Sequence, residues 1–242
     1  MNDPAAVERC KTFISCQLQA TQKTDTDKAG IVRRPTITLS REAGAGAISV
    51  AEHLARFLNK YDTSAPCPWT IFDKNLVQTV LEDHNLPKQL ERYMPEDRIS
   101  EIGAAVRELL GVQPPLWTLV HYTTDTILRL AQMGNVILVG RAAPAITSSL
   151  KNTLHVRLVG SLEKRVDQVR EFYKMSHAQA VEFVHDEDRK RARYLKTYFG
   201  RDIDDPLLYH FTINTDFISF EEAARIIGEA VLRRLPSENR KN

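Results

Sequence analysis

At 242 residues, 43% of them hydrophobic, the chain is long enough to bury one sizeable core and short enough to do so as a single α/β domain. Its 33 basic and 31 acidic residues leave a formal net charge of +2, which excludes a bulk electrostatic grip on nucleic acid. No apolar run approaches the roughly 18 residues that a membrane span needs, and the N-terminus carries no signal-peptide core. Cys10, Cys16 and Cys67 show neither CxxC pairing nor metal-ligand spacing. These features predict a cytoplasmic protein with free thiols and no disulfide framework.

The first 34 residues read as a unit apart. "PAAVERCKTFISCQLQA" has helical spacing, with Val7, Cys10, Phe13, Ile14 and Leu18 along one face, and "TQKTDTDKAG" reads as a polar linker. That helix is expected to pack on the domain or on a second subunit, so a homodimer is left open. The domain proper is expected over residues 35–236, followed by a polar tail at 237–242. Within it, β-type runs at "TITLS", "WTIFD", "NVILVG", "TLHVRLVG" and "HFTIN" alternate with helical stretches. The helices are expected at 48–60, 74–84, 96–111, 115–133, 161–174, 177–198 and 220–235. Such alternation predicts a largely parallel sheet covered on both faces, with ligands at the carboxyl ends of the strands.

The segments just after the strands therefore carry the chemistry. "SREAGAGAIS", residues 40–49, joins the first strand to a helix. Laid on the phosphate-loop frame GxxxxGK[ST], Gly46 is the second glycine, Arg41 stands at the first, Ala47 replaces the lysine and Ile48 the hydroxyl residue. Ser49 lies one residue on, within the first helical turn. Gly44 and Gly46 suit a backbone nest for phosphate at a helix N-terminus, although a plain strand-to-helix turn with two glycines reads equally well from these ten residues alone. With the lysine gone, another cation must face the phosphates, and Arg41 is the nearest. Arg141 directly follows "NVILVG", well placed for an anionic acceptor. Asp73 ends "WTIF" and reads as an acceptor contact, a carboxylate holding a magnesium-bound water, or a helix N-cap. The seven histidines lack metal-site spacing and read as structural or surface residues. The apolar faces of 84–133, including Ile127 and Leu130, read as packing surface.

Read together, "ITLSREAGAGAISVAEHLAR", "FDKNLV", "GRAAP", "LHVRLVGSLEKRVDQV", "DRKRARYLKTYFG" and "DIDDPLLYHFTINT" resemble the cytidylate kinase-like family over residues 36 to about 232. That family also lacks the loop lysine; this chain departs from it at Ala47 and Ile48. The resemblance implies an α/β P-loop kinase fold. Its parts would be a three-layer sandwich with a parallel five-stranded sheet, a helical lid and a helical acceptor-binding insert. It further implies an ATP site at Ser40, Arg41, Gly44, Ala45, Gly46, Ala47 and Ser49, with Mg2+ accompanying ATP and Ser49 as its protein ligand. Arg189, Lys190, Arg191 and Arg193 form a basic cluster that on its own reads as a solvated helix face. The resemblance makes Arg191 and Arg193 lid arginines, catalytic together with Arg41, and Asp73 and Arg141 acceptor-binding. The implied activity is phosphoryl transfer from ATP to CMP or a similar nucleoside monophosphate. The other reading is a nucleotide-binding regulatory protein with little or no turnover. Either way the expected partners are nucleotides, with no nucleic acid and no membrane.

Overall fold

The computed structural model describes residues 4–24, 34–73 and 115–235. Five parallel strands form one sheet in the order β2-β3-β1-β4-β5: β1 Thr36–Arg41, β2 Thr70–Phe72, β3 Val136–Val139, β4 Thr153–Val159 and β5 Phe211–Asn214. Among the described residues the α-helices are α1 Pro4–Thr24, α2 Ala47–Tyr61, α3 Pro115–Met133, α4 Ala143–Ile146, α5 Leu162–Tyr173, α6 His177–Phe199 and α7 Phe220–Leu232. All five foreseen strands are present, and α2, α3, α5, α6 and α7 lie close to their expected bounds. The helices expected over 74–84 and 96–111, and most of the acceptor-binding insert, lie outside the described residues. No described helix is long and apolar enough to cross a membrane.

Successive side chains of a strand point to opposite faces, and here each face has its own core. Ile37, Leu39, Ile137, Val139, Leu154 and Val156 pack with Val50, Leu54 and Leu58 of α2 and with Ala224, Ile227 and Val231 of α7. On the other face, Phe72, Val136 and Leu138 meet Cys10, Phe13 and Ile14 of α1 and Ile127, Leu130 and Met133 of α3. Burying each large aliphatic side chain contributes about 1.5–3 kcal/mol before entropy is counted, and the result is helix, sheet, helix in three layers. α1 packs on the sheet as one of the two expected arrangements had it.

The second face changes character along the sheet. On β1 and β4 it carries polar pairs in register: Thr36 with Thr153, Thr38 with His155, and Ser40 with Arg157. Thr38 Oγ1 lies 2.8 Å from His155 Nδ1 and Thr153 Oγ1 3.2 Å from its Nε2, so the buried imidazole is fully partnered. Burial, reinforced by the charges of His210 and Arg234, pushes His155 down to about 4. Ser40, at the carboxyl end of this polar strip, lines the cavity where the functional site forms.

One expectation is corrected. Cys16 and Cys67 are joined by a disulfide, and Cys10 is the free thiol, buried in the core. The packing of α1 beside the approach to β2 brings their Cα atoms to 5.9 Å, within the usual range for a bridge. A separation of 51 residues hides the pair from any local spacing rule.

Candidate functional site

β1 ends at Arg41 and α2 begins at Ala47, so the loop between them occupies the strand-to-helix turn. Gly44 and Gly46 have φ of 82° and 73°, in the left-handed region. Close approach demands glycine as well: a Cβ at Gly44 would overlap the Arg165 carbonyl, and one at Gly46 the Phe220 ring. Gly46 is the N-cap of α2 and no side chain caps it. The first-turn N–H groups therefore lack intrahelical partners, as at any helix start. Ala45 and Ala47 are buried, Ser49 is half-buried and Ile48 is exposed.

Two helices grip this loop. The Glu42 N–H donates to the Leu158 carbonyl at 3.0 Å, and its carboxylate accepts the Gly160 N–H at 3.0 Å. Arg165, a buried residue of α5, donates to the carbonyls of Gly160 at 2.9 Å and Ala43 at 3.1 Å, and to Asp188 at 2.7 Å. Asp188 of α6 accepts the Ala43 N–H at 2.6 Å and Arg191 Nη1 at 3.2 Å. Neither Arg165 nor Asp188 stands out in the sequence, because their partners are remote along the chain.

Beside the loop lies a cavity of about 240 Å³. Its floor is the crevice between β1 and β3, the point where the strand order reverses: α2 leaves β1 on one face, and α4 leaves β3 on the other. Doubly wound sheets bind ligands in this crevice, outside the carboxyl ends of the strands. The turn after β3 is unusual. Gly140, Arg141 and Ala142 have φ of 82°, 53° and 56°, and the two non-glycine residues are held in a sparsely populated conformation, as happens at functional sites. The Arg41 guanidinium lies across Gly140, in space that a Cβ there would fill.

Cations dominate the cavity. Arg41 and Arg141 come from the floor, and Lys190 and Arg191 from α6, which roofs it. Glu187 is the carboxylate in the lining, and it already accepts Arg191 at 3.1 Å. Lys190 pairs with Asp186 at 2.6 Å. Arg41 and Arg141 have no ion pair or hydrogen bond among the described residues, and Arg141 Nε is buried without a partner. Burial, then the Arg191 charge, lowers Arg41 to about 10, with Glu187 and Asp73 opposing. Arg41 thus stays charged at neutral pH. The remaining wall is the segment after α6. Arg157 of β4, which also donates to Ser40 of β1 at 3.3 Å, holds it through Asp204 at 2.6 Å, and the Tyr209 hydroxyl donates to the Ile203 carbonyl at 2.8 Å.

The structure therefore brings Ser40, Arg41, Arg141 and Arg191 together at one cavity. Gly44, Ala45, Gly46, Ala47 and Ser49 lie in the adjoining turn and helix start. Asp73 directly follows β2, and its charge reaches Arg41. Arg193 is not among the cavity residues: it is exposed on another face of α6 and acts on Asp186. Glu187, Lys190 and Tyr194 stand in or beside the basic stretch of α6, but the sequence alone assigned none of them to the site. Their spacing along α6, three and four residues apart, was the available signal.

The model of the cytidylate kinase-like family matches residues 36–217 of this chain. A solved structure of an uncharacterized protein from Eubacterium ventriosum superposes with a TM-score of 0.65 at 20% identity, covering 84% of this chain and all of that one, 100%. A shikimate kinase from Bacteroides thetaiotaomicron superposes with a TM-score of 0.43 at 15% identity, covering 82% of this chain and 98% of that one. A uronate isomerase from Corynebacterium glutamicum is 29% identical over 122 residues, 49% of this chain; the matched stretch spans only 23% of that protein.

Proposed function

The chain belongs to the cytidylate kinase-like family, and we propose that it transfers the γ-phosphoryl group of ATP to a small anionic acceptor, CMP or a similar nucleoside monophosphate. The observation that carries this reading is the pair of guanidinium groups without ion pair or hydrogen bond among the described residues, Arg41 and Arg141, in a crevice beside a glycine turn that opens a helix. Two unmet positive charges suit the two negative charges of a phosphate monoester. ATP is assigned to the backbone from Gly44 to Ser49, where first-turn N–H groups and the helix dipole favour phosphate.

In the reaction, an oxygen of the acceptor phosphate forms a bond to the γ-phosphorus while the bond from that phosphorus to the β–γ bridging oxygen breaks, and ADP leaves. Catalysis of this kind is positioning plus neutralisation of charge. Arg41 and Arg141 hold the attacking group, and Arg191 supplies a further cation from the roof. Arg193, exposed on α6, has no part in this arrangement. No acidic or histidine cluster fit to bind a metal occurs among the described residues. The Ser49 hydroxyl, half-buried in the first helical turn, makes no hydrogen bond among them. That donor set fits Mg2+ arriving on ATP with few protein ligands, and the ion would neutralise the β- and γ-phosphates.

The alternative is nucleotide binding without turnover. It is favoured by Ala47 in the lysine position and by Asp188, a carboxylate already on the Ala43 N–H. Calorimetric titration with ATP–Mg2+ and each nucleoside monophosphate, followed by a coupled assay for ADP, separates the readings. Turnover with CMP that falls at least tenfold in Arg141→Ala supports the kinase. Binding of both ligands with no ADP released establishes the alternative.

A further inference from the structure

Two tyrosines line the cavity, and their hydroxyl groups are placed differently. The Tyr209 hydroxyl is engaged, donating to the Ile203 carbonyl at 2.8 Å and lying 3.3 Å from Ser40 Oγ. The Tyr194 hydroxyl has no hydrogen-bond partner among the described residues. Its ring is fixed all the same, packed 5.0 Å from the Tyr198 ring and 6.1 Å from the Phe199 ring. Tyr194 follows Arg191 by one helical turn, so both reach the cavity from the same face of α6. Both Tyr194 and Arg141 line the cavity; burial raises the phenol's pKa and the Arg141 charge pulls it back, so it is protonated at neutral pH.

A buried guanidinium N–H ordinarily finds a hydrogen-bond partner. Arg141 Nε–H is buried without one, and the Tyr194 hydroxyl of the same cavity is bonded to no other described residue. A buried donor without an acceptor and a free hydroxyl, beside an excess of positive charge, suit an oxygen that bears negative charge. We propose that Tyr194 is an acceptor-binding residue, its hydroxyl and Arg141 Nε–H together cradling one oxyanion group of the acceptor. This assignment rests on the cavity being the acceptor site and does not require turnover. Arg41 and Arg191 supply charge from other directions, whereas the tyrosine supplies a directed neutral hydrogen bond that registers where the oxygen sits. A bulky group at that oxygen would meet the Tyr194 ring, so the cradle also sets which anions enter.

Tyr194→Phe is the decisive variant, since it removes the hydroxyl and keeps the ring contacts with Tyr198 and Phe199. Inorganic phosphate and CMP are titrated by calorimetry in the presence of ADP–Mg2+, which fills the loop site. The expected result is about tenfold weaker binding of both anions in the variant, with ADP affinity within twofold of the parent and an unaltered melting temperature. A second readout is the ultraviolet signal of tyrosinate formation. The component lost in Tyr194→Phe should move to higher pH when phosphate binds the parent protein. Unchanged phosphate and CMP affinity in Tyr194→Phe, with loss in Arg141→Ala, overturns the role of Tyr194 while leaving the cavity as the acceptor site. Failure of the parent to bind either anion while it binds ADP overturns the assignment of the cavity and the proposal with it. Binding that depends on Tyr194 in a protein that releases no ADP from ATP upholds the cradle and rejects the kinase.

Discussion

Arg41 and Gly140 form a single device, because the guanidinium occupies the space a side chain at Gly140 would need. Gly140→Ala should therefore displace Arg41 and lower kcat by an amount approaching that of Arg41→Ala, although no charge is removed. Arg41→Lys should lose at least tenfold, since a lysine keeps the charge but not the two-pronged donor, and a hydrogen bond to a charged group is worth about 1.5–3 kcal/mol. A Gly140→Ala enzyme with full activity would mean that Arg41 works from another position. His155 gives a prediction in pH. Its pKa is lowered to about 4 from the ordinary 6.5, so it is neutral in the folded protein where the unfolded chain would bind a proton. Stability is then greatest above pH 6.5 and falls as pH drops from 6.5 to about 4, the cost reaching about 3 kcal/mol. Urea unfolding at pH 7 and at pH 4.5 should show a smaller difference in His155→Gln than in the parent. An equal difference in the two proteins would remove His155 as its source.

At the scale of elements, α1 is fastened twice, by the burial of Cys10, Phe13 and Ile14 and by the Cys16–Cys67 bridge. Closing a loop of 51 residues stabilises by about 4 kcal/mol if it acts through the entropy of the unfolded chain. Cys67→Ser, or the parent under reductant, should melt several degrees lower, and reductant should leave the variant unaffected. A parent insensitive to reductant would show that the apolar contacts alone hold α1. The glycine turn behaves in a related way. Gly46→Val strikes the Phe220 ring and imposes a strained φ, so it should cost several kcal/mol of stability besides any loss of nucleotide binding. A melting curve matching the parent's would contradict that packing. Most elements were legible because their periods are strong: the runs at "TITLS" and "NVILVG" could only be short buried strands among helices. Arg41 and Arg141 were legible because ligands gather at strand ends. The basic cluster of α6 was not, since a run of cations says nothing of which side is turned inward. A helix advances about 100° per residue, so Glu187, Lys190, Arg191 and Tyr194 share the cavity face and Arg193 does not. Arg165, Asp188 and the cysteine pair depend on contacts far apart in sequence, beyond any local pattern.

For the molecule as a whole, the consequence lies in α6, which touches both halves of the site. Its Asp188 holds the Ala43 N–H of the glycine turn, while its Arg191 and Tyr194, one and two turns further on, reach the cavity. Asp188 and Arg191 are themselves hydrogen-bonded at 3.2 Å. An anion that draws Arg191 into the cavity loosens its hold on Asp188, and the carboxylate in turn alters its grip on the turn where ATP is assigned. The two binding equilibria then share a free energy, and linkage requires that sharing to be mutual: whatever factor the acceptor imposes on ATP affinity, ATP imposes on the acceptor. Titrations run in both orders should return one common factor on the order of 5–150-fold. Asp188→Asn should bring that factor towards unity while each ligand still binds alone. Equal factors in the parent and in Asp188→Asn would show that the two sites communicate by another route. Ordered substrate addition would in that case owe nothing to the carboxylate between them.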